Sequence, residues 1–218
     1  MRYLICILHM ARMHSTSADS HMLPQVGARS TTMASALAEC YPSLKLVVQL
    51  STSPDPDPAP TELDSRIVVQ SRPWAMPQTV REAAVYALRV PYDFPVVSAS
   101  AQTRPARLRA ELEAHLGVLR ENDAARLIFT TRLLPCHSDA ADDKQGNDLQ
   151  PGLDAAKGLV FDMSLLQLAD DRELEVADLR ELVRSVGDGN GHLVLEDKLQ
   201  VHSASRDRAF EVRFHRMP

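Results

Sequence analysis

Residues Ser43–Leu50 read Ser-Leu-Lys-Leu-Val-Val-Gln-Leu, and this stretch decides the class of fold. The run is apolar, contains adjacent β-branched valines and follows Pro42, so it predicts a short buried strand. The stretch before it, Thr31–Cys40, is rich in helix-forming residues and predicts a helix. A helix leading into a fully apolar strand is typical of a parallel sheet that carries helices on its faces.

The same alternation of short apolar strands and helices continues along the chain. The helix that follows Thr103 has a capping residue and Pro105 in its first turn, and leucines at helical spacing form its buried stripe. The leucines of this stripe are Leu108, Leu112, Leu116 and Leu119. The further predicted strands are Ser65–Gln70, Ala83–Arg89 and Ala125–Thr131, and the predicted helices are Thr103–Arg120, Leu153–Ala169 and Ala177–Val186.

The end of the chain has a different pattern. Lys198–His202 and Ala209–His215 alternate apolar and polar residues, and the polar segment Ser203–Arg208 joins them. Alternation with a period of two predicts strands with one buried face, and the short connection predicts that they pair antiparallel. The expected architecture is therefore α/β, with a mostly parallel sheet closed by a terminal antiparallel strand pair.

Composition and charge exclude several classes of function. Lysine and arginine number 24 against 29 acidic residues, and a net charge of -5 disfavours direct nucleic-acid binding. The apolar run in Met1–Met10 is too short to span a bilayer, so we expect no membrane insertion. Three scattered cysteines indicate a reducing, cytoplasmic location. We expect an irregular segment over 1–21 and one domain over 22–218.

Two segments partly match metal-binding sequence motifs. Asp188-Gly-Asn-Gly191 begins like a calcium loop, but Leu193 and Leu199 stand where glycine and a bidentate glutamate are required, so we predict a turn before a strand. Cys136-His137 has no second ligand pair at zinc spacing. No metal is expected.

Four segments in the same order resemble the fungal, S-adenosyl-L-methionine (SAM)-dependent O-methyltransferases of secondary metabolism, which are caffeate-type class I enzymes. They are Ala36–Gln49, Ala84–Pro95, Leu127–Pro135 and Leu165–Leu182. The resemblance implies a Rossmann-like class I methyltransferase sheet that is partly truncated at its N-terminus. The winged-helix-like N-terminal domain of the family has no counterpart before Met22, so the chain resembles a lone catalytic domain.

The resemblance places Gly27, Ser30 and Leu50 nearest SAM. The glycine-rich loop of the family corresponds to Val26–Thr31, where only Gly27 remains, and Leu50 stands where a carboxylate binds the ribose hydroxyls. A leucine side chain accepts no hydrogen bond. The acidic residue near the adenine is also missing, around Ser71-Arg72. We therefore expect weakened SAM binding.

The resemblance places Tyr92, Asp93 and Glu173 at the catalytic centre. Tyr92 replaces the family's histidine base, and tyrosine is a poor base at neutral pH. Asp93 matches the neighbouring acid and Glu173 matches an orienting acid, while Thr131 replaces the other one. Methyl transfer is therefore expected to be impaired.

Each of these residues also has an ordinary structural interpretation. Gly27 would be a glycine in a simple turn, and Asp93 would cap a helix. Glu173 would be a solvated carboxylate at the start of a helix. Tyr92 would be a half-buried aromatic residue in a loop. The segment containing Trp74, between Pro73 and Pro77, would either line a ligand pocket or fix a loop in place.

Three functions remain open. The first is SAM-dependent O-methylation of an aromatic or polyketide product in a fungal pathway. The second is a pseudo-methyltransferase that binds a pathway intermediate and guides cyclisation or dehydration by positioning. The third is a structural subunit, in which the chain forms a homo-oligomer or pairs with a full-length relative.

Overall fold

A computed structural model describes residues 22–28, 30–50, 63–90, 103–132, 174–199 and 207–217. The described part contains eight strands and three helices. The strands are β1 (Met22–Ala28), β2 (Lys45–Leu50), β3 (Ile67–Ser71), β4 (Val85–Arg89), β5 (Arg126–Arg132), β6 (Gly187–Asp188), β7 (Gly191–Leu199) and β8 (Asp207–Arg216). The helices are α1 (Thr32–Cys40), α2 (Arg104–Glu121) and α3 (Val176–Arg184).

All eight strands form one sheet in the order β3-β2-β1-β4-β5-β8-β7-β6. The first five strands are parallel to their neighbours, whereas β8 runs antiparallel to β5 and to β7. The order confirms the mixed sheet that the alternation of helices and strands predicted. The chain moves outward from β1 to β3 and then crosses β1 to begin β4, so the strand order reverses between β1 and β4.

One face of the sheet carries α2 and α3 over the larger core. Tyr86, Leu88, Leu127 and Phe129 of the central strands are fully buried there. Phe210 of β8 lies opposite Phe129 in register, with ring centroids 5.7 Å apart. This core extends across the parallel and the antiparallel strands, so the terminal pair is part of the same hydrophobic layer.

The opposite face carries α1 over a second core. Ala34 and Leu37 of this helix pack against Leu46 and Val48 of β2 and Ile128 of β5. Side chains of successive strand residues point to opposite faces. The continuous apolar runs of β2 and β5 are therefore explained, because both of their faces are covered.

Within the described ranges, the predicted elements agree with the structure in type, and most of their ends shift by one to three residues. Thr103 caps α2 as predicted, since its hydroxyl accepts from the Ala106 N–H. The first terminal strand, β7, begins earlier than predicted, at Gly191. Val26 and Gly27, assigned to a loop by resemblance, are part of β1. The predicted helix Leu153–Ala169 lies outside the described residues.

Candidate functional site at the carboxyl end of β1

The point where strand order reverses is the expected ligand-binding edge of an open α/β sheet. Here it lies between the carboxyl ends of β1 and β4, and Gly27 stands at this point. The pairing of β1 with β2 shifts register between Val26 and Ala28, which is a β-bulge at Gly27. Gly27, which the resemblance places nearest SAM, therefore lies at the edge where such sheets generally bind ligands.

Gly27 is required by the packing of the chain itself. Its φ of +70° lies in the left-handed region, which disfavours residues with a Cβ. A Cβ atom added there would lie 2.8 Å from the carbonyl oxygen of Arg89 and 3.1 Å from Cζ3 of the Trp74 ring. Arg89 and Trp74 therefore leave no room for a side chain at this position.

Trp74 connects the crevice to α2. Its ring packs against the larger core, and its Nε1–H donates to the carbonyl of Arg107 at 3.3 Å. The interpretation of Trp74 as a residue that fixes a loop therefore agrees with its contacts. Met76, the other candidate pocket residue, is 51% exposed.

The other two predicted cofactor residues lie at the ends of β2 and β1 and lack the carboxylate that the family uses to bind the ribose of SAM. Leu50 ends β2 and packs against the core beneath α1. The Ser30 hydroxyl lies 3.2 Å from that of Thr32, to which it donates, at the start of α1. Neither residue supplies a carboxylate for the ribose hydroxyls.

The segment Arg72–Ala83 connects β3 to β4, and we call it the crossover segment. A cluster of buried polar side chains lies where this segment meets β2 and α2. This cluster was not predicted from the sequence. Its members come from β2, the crossover segment and α2, and all are at least nine-tenths buried. They are Gln49, Arg72, Gln78, Glu111 and His115.

An ion pair forms one half of the buried polar cluster. Arg72 Nη1 donates to Glu111 Oε1 at 2.5 Å, and the backbone N–H of Ala75 donates to Glu111 Oε2 at 2.7 Å. The other terminal nitrogen of Arg72 donates to the carbonyl of Met76. Arg72 belongs to the Ser71-Arg72 region in which the resemblance expects the adenine-side acid, and its charge is paired with Glu111 of α2.

Burial sets the protonation behaviour of the pair. Desolvation raises the pKa of Glu111, while the charge of Arg72 and the hydrogen bonds from Ala75 and Arg72 lower it. Arg72 Nε is buried and finds no hydrogen-bond partner among the described residues. Breaking such a pair from one side leaves an uncompensated charge in the interior, so both partners are needed together.

Two side-chain amides and an imidazole ring form the other half of the buried polar cluster. The side-chain amides of Gln49 and Gln78 exchange hydrogen bonds of 2.7 and 2.9 Å. Gln78 Nε2 also lies 3.1 Å from His115 Nε2, and His115 Nδ1 lies 2.8 Å from the Glu111 carbonyl. The neutral tautomer with its proton on Nδ1 satisfies both contacts.

The His115 side chain is buried and is not accessible to a ligand in this arrangement. Burial, together with the nearby charge of Arg72, lowers the pKa of His115 to about 4, although the hydrogen bond to the Glu111 backbone opposes this shift. The ring is fully buried and stacks edge-on against Tyr86 at 5.6 Å. It therefore holds the crossover segment on α2 and does not reach a ligand.

One sequence signal could have located the α2 part of the cluster. Glu111 and His115 occupy the same helical face as Leu108 and Leu112, at spacings of three and four residues. A charged residue on an apolar stripe requires a buried partner. Nothing in the spacing identifies that partner as Arg72.

The three predicted catalytic residues, Tyr92, Asp93 and Glu173, lie outside the described residues. Thr131, which replaces the family's orienting acid, is buried near the end of β5. Among the described residues, no three histidine, cysteine or acidic side chains converge as ligands for a metal ion. None of the helices in the described ranges is long and apolar enough to cross a membrane.

The described residues at this edge lack the polar groups with which the family holds SAM. Leu50 offers no acceptor, and the charge of Arg72 is paired with Glu111. Leaving a buried ligand hydroxyl unpaired costs about 1–3 kcal/mol. These residues therefore do not fit the ribose and adenine of SAM in the way that the family's residues do.

Solved structures of other proteins show which fold this chain has. A structure of LepI in complex with SAM superposes with a TM-score of 0.65 at 16% identity, covering 96% of this chain and 46% of that one. The methyltransferase CalO6 superposes at 0.61 and 18% identity, covering 88% and 56%. The mitomycin 7-O-methyltransferase MmcR superposes with a TM-score of 0.57 at 16% identity, covering 97% of this chain and 54% of that one. The chain has the class I O-methyltransferase fold, with degenerate motifs.

Sequence relatives are of a different kind. A transcriptional coactivator of Pseudocercospora fijiensis is 34% identical over 88% of this chain and 50% of its own length. The agnestins biosynthesis cluster coactivator AgnL9 of Paecilomyces divaricatus is 36% identical over 87% of this chain and 42% of its own length. The geodin cluster coactivator gedD of Aspergillus terreus is 38% identical over 81% of this chain and 46% of its own length. The chain spans about half the length of these curated relatives. No protein-family model matches it.

Proposed function

We propose that this chain is a non-methylating, methyltransferase-fold regulator that acts as a transcriptional coactivator for a fungal secondary-metabolite gene cluster. The observation that carries the proposal is the set of curated relatives, which are named as cluster coactivators and align with most of this chain. The altered cofactor edge supports it, because a regulator has no need of the groups that hold SAM.

The charge of the chain favours action through a protein partner. With a net charge of -5 it has no basic excess to neutralise phosphates, so sequence-independent DNA affinity is weak. A coactivator that contacts a DNA-binding activator requires none. A reducing compartment, cytosol or nucleus, suits the three cysteines.

The first experiment measures SAM binding by calorimetry and by the fluorescence of Trp74, the only tryptophan. Because the Trp74 ring lies beside Gly27, a cofactor entering the crevice would change its emission. We expect no heat, no emission change and no thermal shift up to about 1 mM SAM, since a ligand that binds only the native state must stabilise it. Saturable binding would contradict the proposal.

The second experiment separates regulation from catalysis in the fungus. Deletion of the gene is expected to lower transcripts of the neighbouring biosynthetic genes. Complementation with Tyr92→Phe or Glu173→Gln is expected to restore both transcripts and product, because neither residue performs chemistry under this proposal. Restored transcripts with a missing or unmethylated product would instead identify an enzyme.

A second candidate, the pseudo-methyltransferase that positions a pathway intermediate, has one observation in its favour. A neighbour of the same fold, superposing with a TM-score of 0.62 at 16% identity, is described as a pericyclic reaction enzyme. This candidate predicts a thermal shift with a pathway intermediate and not with SAM. It also predicts loss of product, with transcripts unchanged, in Tyr92→Phe.

A further inference from the structure

The two edges of the described sheet are protected to different degrees. At one edge, β6 has only two residues, and its Asp188 carboxylate pairs with Arg120 at 2.6 Å. At the other edge, β3 has five residues, Ile67–Ser71, with no charge, no proline and no register shift against β2. Native sheets usually blunt their edge strands with such features. Within the described ranges, β3 is therefore an edge open to pairing.

The backbone of β3 presents hydrogen-bonding groups away from β2. The carbonyl of Arg66 accepts from the Leu46 N–H, and the N–H of Arg72 donates to the Leu50 carbonyl. A parallel ladder uses alternate residues of a strand, so the even-numbered residues face β2. The N–H and C=O of Val69 consequently point outward, as do those of Ser71.

The charged residues that flank β3 are turned away from this edge. The guanidinium of Arg66 donates to the Asp64 carboxylate and to the carbonyls of Ala38 and Tyr41. That of Arg72 is buried against Glu111, as described above. Neither guanidinium is therefore left to repel a second strand.

The exposed side chains of β3 carry no charge. Val68 is 56% exposed and Val69 is 36% exposed, they lie on opposite faces of the strand, and Ser71 is also exposed. Beyond the strand, Met76 is half exposed, and the neighbouring Pro73 and Pro77 are exposed and uncharged. An uncharged edge strand favours an uncharged strand as its partner.

We propose that β3 pairs antiparallel with β3 of a second copy of this chain, about a twofold axis at Val69. In this register Val69 lies opposite Val69, and Ile67 lies opposite Ser71. The outward N–H and C=O of Val69 then meet their own counterparts, as a twofold interface requires. The strand that fits this edge is thus β3 itself, and the inference does not depend on the proposed function.

The pairing joins two sheets into one and buries little area beyond the strand. Specific stable interfaces bury about 1,200–2,000 Å². A pair of five-residue strands with flanking side chains is at the small end, so we expect a dimer whose population rises with protein concentration.

Sedimentation velocity over a concentration series tests the pairing with two variants of one residue. Val69→Pro removes an N–H that points away from β2, and proline is tolerated on an edge strand in that orientation. It is expected to raise the dimer dissociation constant about thirtyfold, because the twofold pair loses both of its exchanged bonds. Val69→Thr keeps the N–H and the β-branch and should dimerise like the unchanged chain.

Far-UV circular dichroism and melting temperature show whether Val69→Pro remains folded.

A disulfide test checks the register of the pairing. Val69→Cys, in a chain with Cys6, Cys40 and Cys136 replaced by serine, should oxidise to a dimer. Opposed Cα atoms about 5.5 Å apart lie within disulfide range. Ala177→Cys, exposed on α3, is the control. A monomer at all concentrations, equal dimerisation of Val69→Pro and Val69→Thr, or equal cross-linking at both cysteine positions would overturn the proposal.

Discussion

Gly27 combines a positive φ with close packing against Arg89 and Trp74. We expect Gly27→Ala to lower the free energy of unfolding by about 2–4 kcal/mol, because the added Cβ meets a backbone carbonyl and the backbone is left-handed. Urea denaturation measures this loss.

Gly117 provides the matched control. It lies inside α2, where an added Cβ meets no atom within 4 Å. Gly117→Ala is expected to stabilise the protein by up to about 1 kcal/mol through helix propensity. Equal effects of the two substitutions would show that the position of Gly27 is not special.

His115 gives stability a dependence on pH. Its pKa falls from 6.5 to about 4 on folding because the ring is buried. Between these values the unfolded chain binds a proton that the native chain does not, so stability falls as the pH is lowered through this window. The full loss is about 3 kcal/mol, and above pH 6.5 this group contributes none.

The measurement is the free energy of unfolding at a series of pH values from 7 to 4. His115→Gln should remove the contribution, whereas the same substitution at the exposed His215 should leave it in place. An unchanged pH profile in His115→Gln would contradict the assignment.

At the scale of elements, α2 holds the crossover segment through Glu111. Besides the ion pair with Arg72, the N–H of Gln78 donates to the Ala114 carbonyl at 2.9 Å. Glu111→Gln leaves the Arg72 charge buried without its counter-ion. We expect a loss of about 3–5 kcal/mol in the free energy of unfolding, measured by urea denaturation.

A double replacement distinguishes the pair from simple packing. Arg72→Met combined with Glu111→Leu removes both charges and keeps comparable volume, so most of the stability lost in Glu111→Gln should return. Additive losses in the double variant would show that the two residues contribute independently.

At the scale of the whole molecule, two cores share one sheet. Leu127 and Phe129 point into the core beneath α2, while Ile128 between them points into the core beneath α1. Neither core persists without the strands that form the other. We expect urea unfolding followed by Trp74 fluorescence and by far-UV circular dichroism to give coincident transitions. Separate midpoints would show that the layers unfold independently.

The terminal hairpin extends this sheet and was predictable only in part. Alternation over Ala209–His215 indicated a strand with one buried face, and β8 shows this only in its second half, because Ala209 to Val212 are all buried. The start of β7 at Gly191 was not evident, because glycine carries no side-chain pattern. In the fold, a Cβ at Gly191 would lie 2.1 Å from the His215 carbonyl, so the close approach of β8 explains the residue.

Local periodicity determined the elements of this protein. Apolar runs in β2, β4 and β5 and the leucine stripe of α2 are properties of neighbouring residues, and burial of both sheet faces follows from them. The order of these elements then indicated the methyltransferase sheet, and the substituted motifs indicated the altered cofactor edge.

Only the tertiary structure decided what occupies that edge. Arg72 and Glu111 are 39 residues apart, and Trp74 approaches Gly27 from another segment of the chain. A buried charge requires a counter-charge, but the energy that selects one partner depends on distance in space. That distance exists only after the strands have paired and α2 has packed against them.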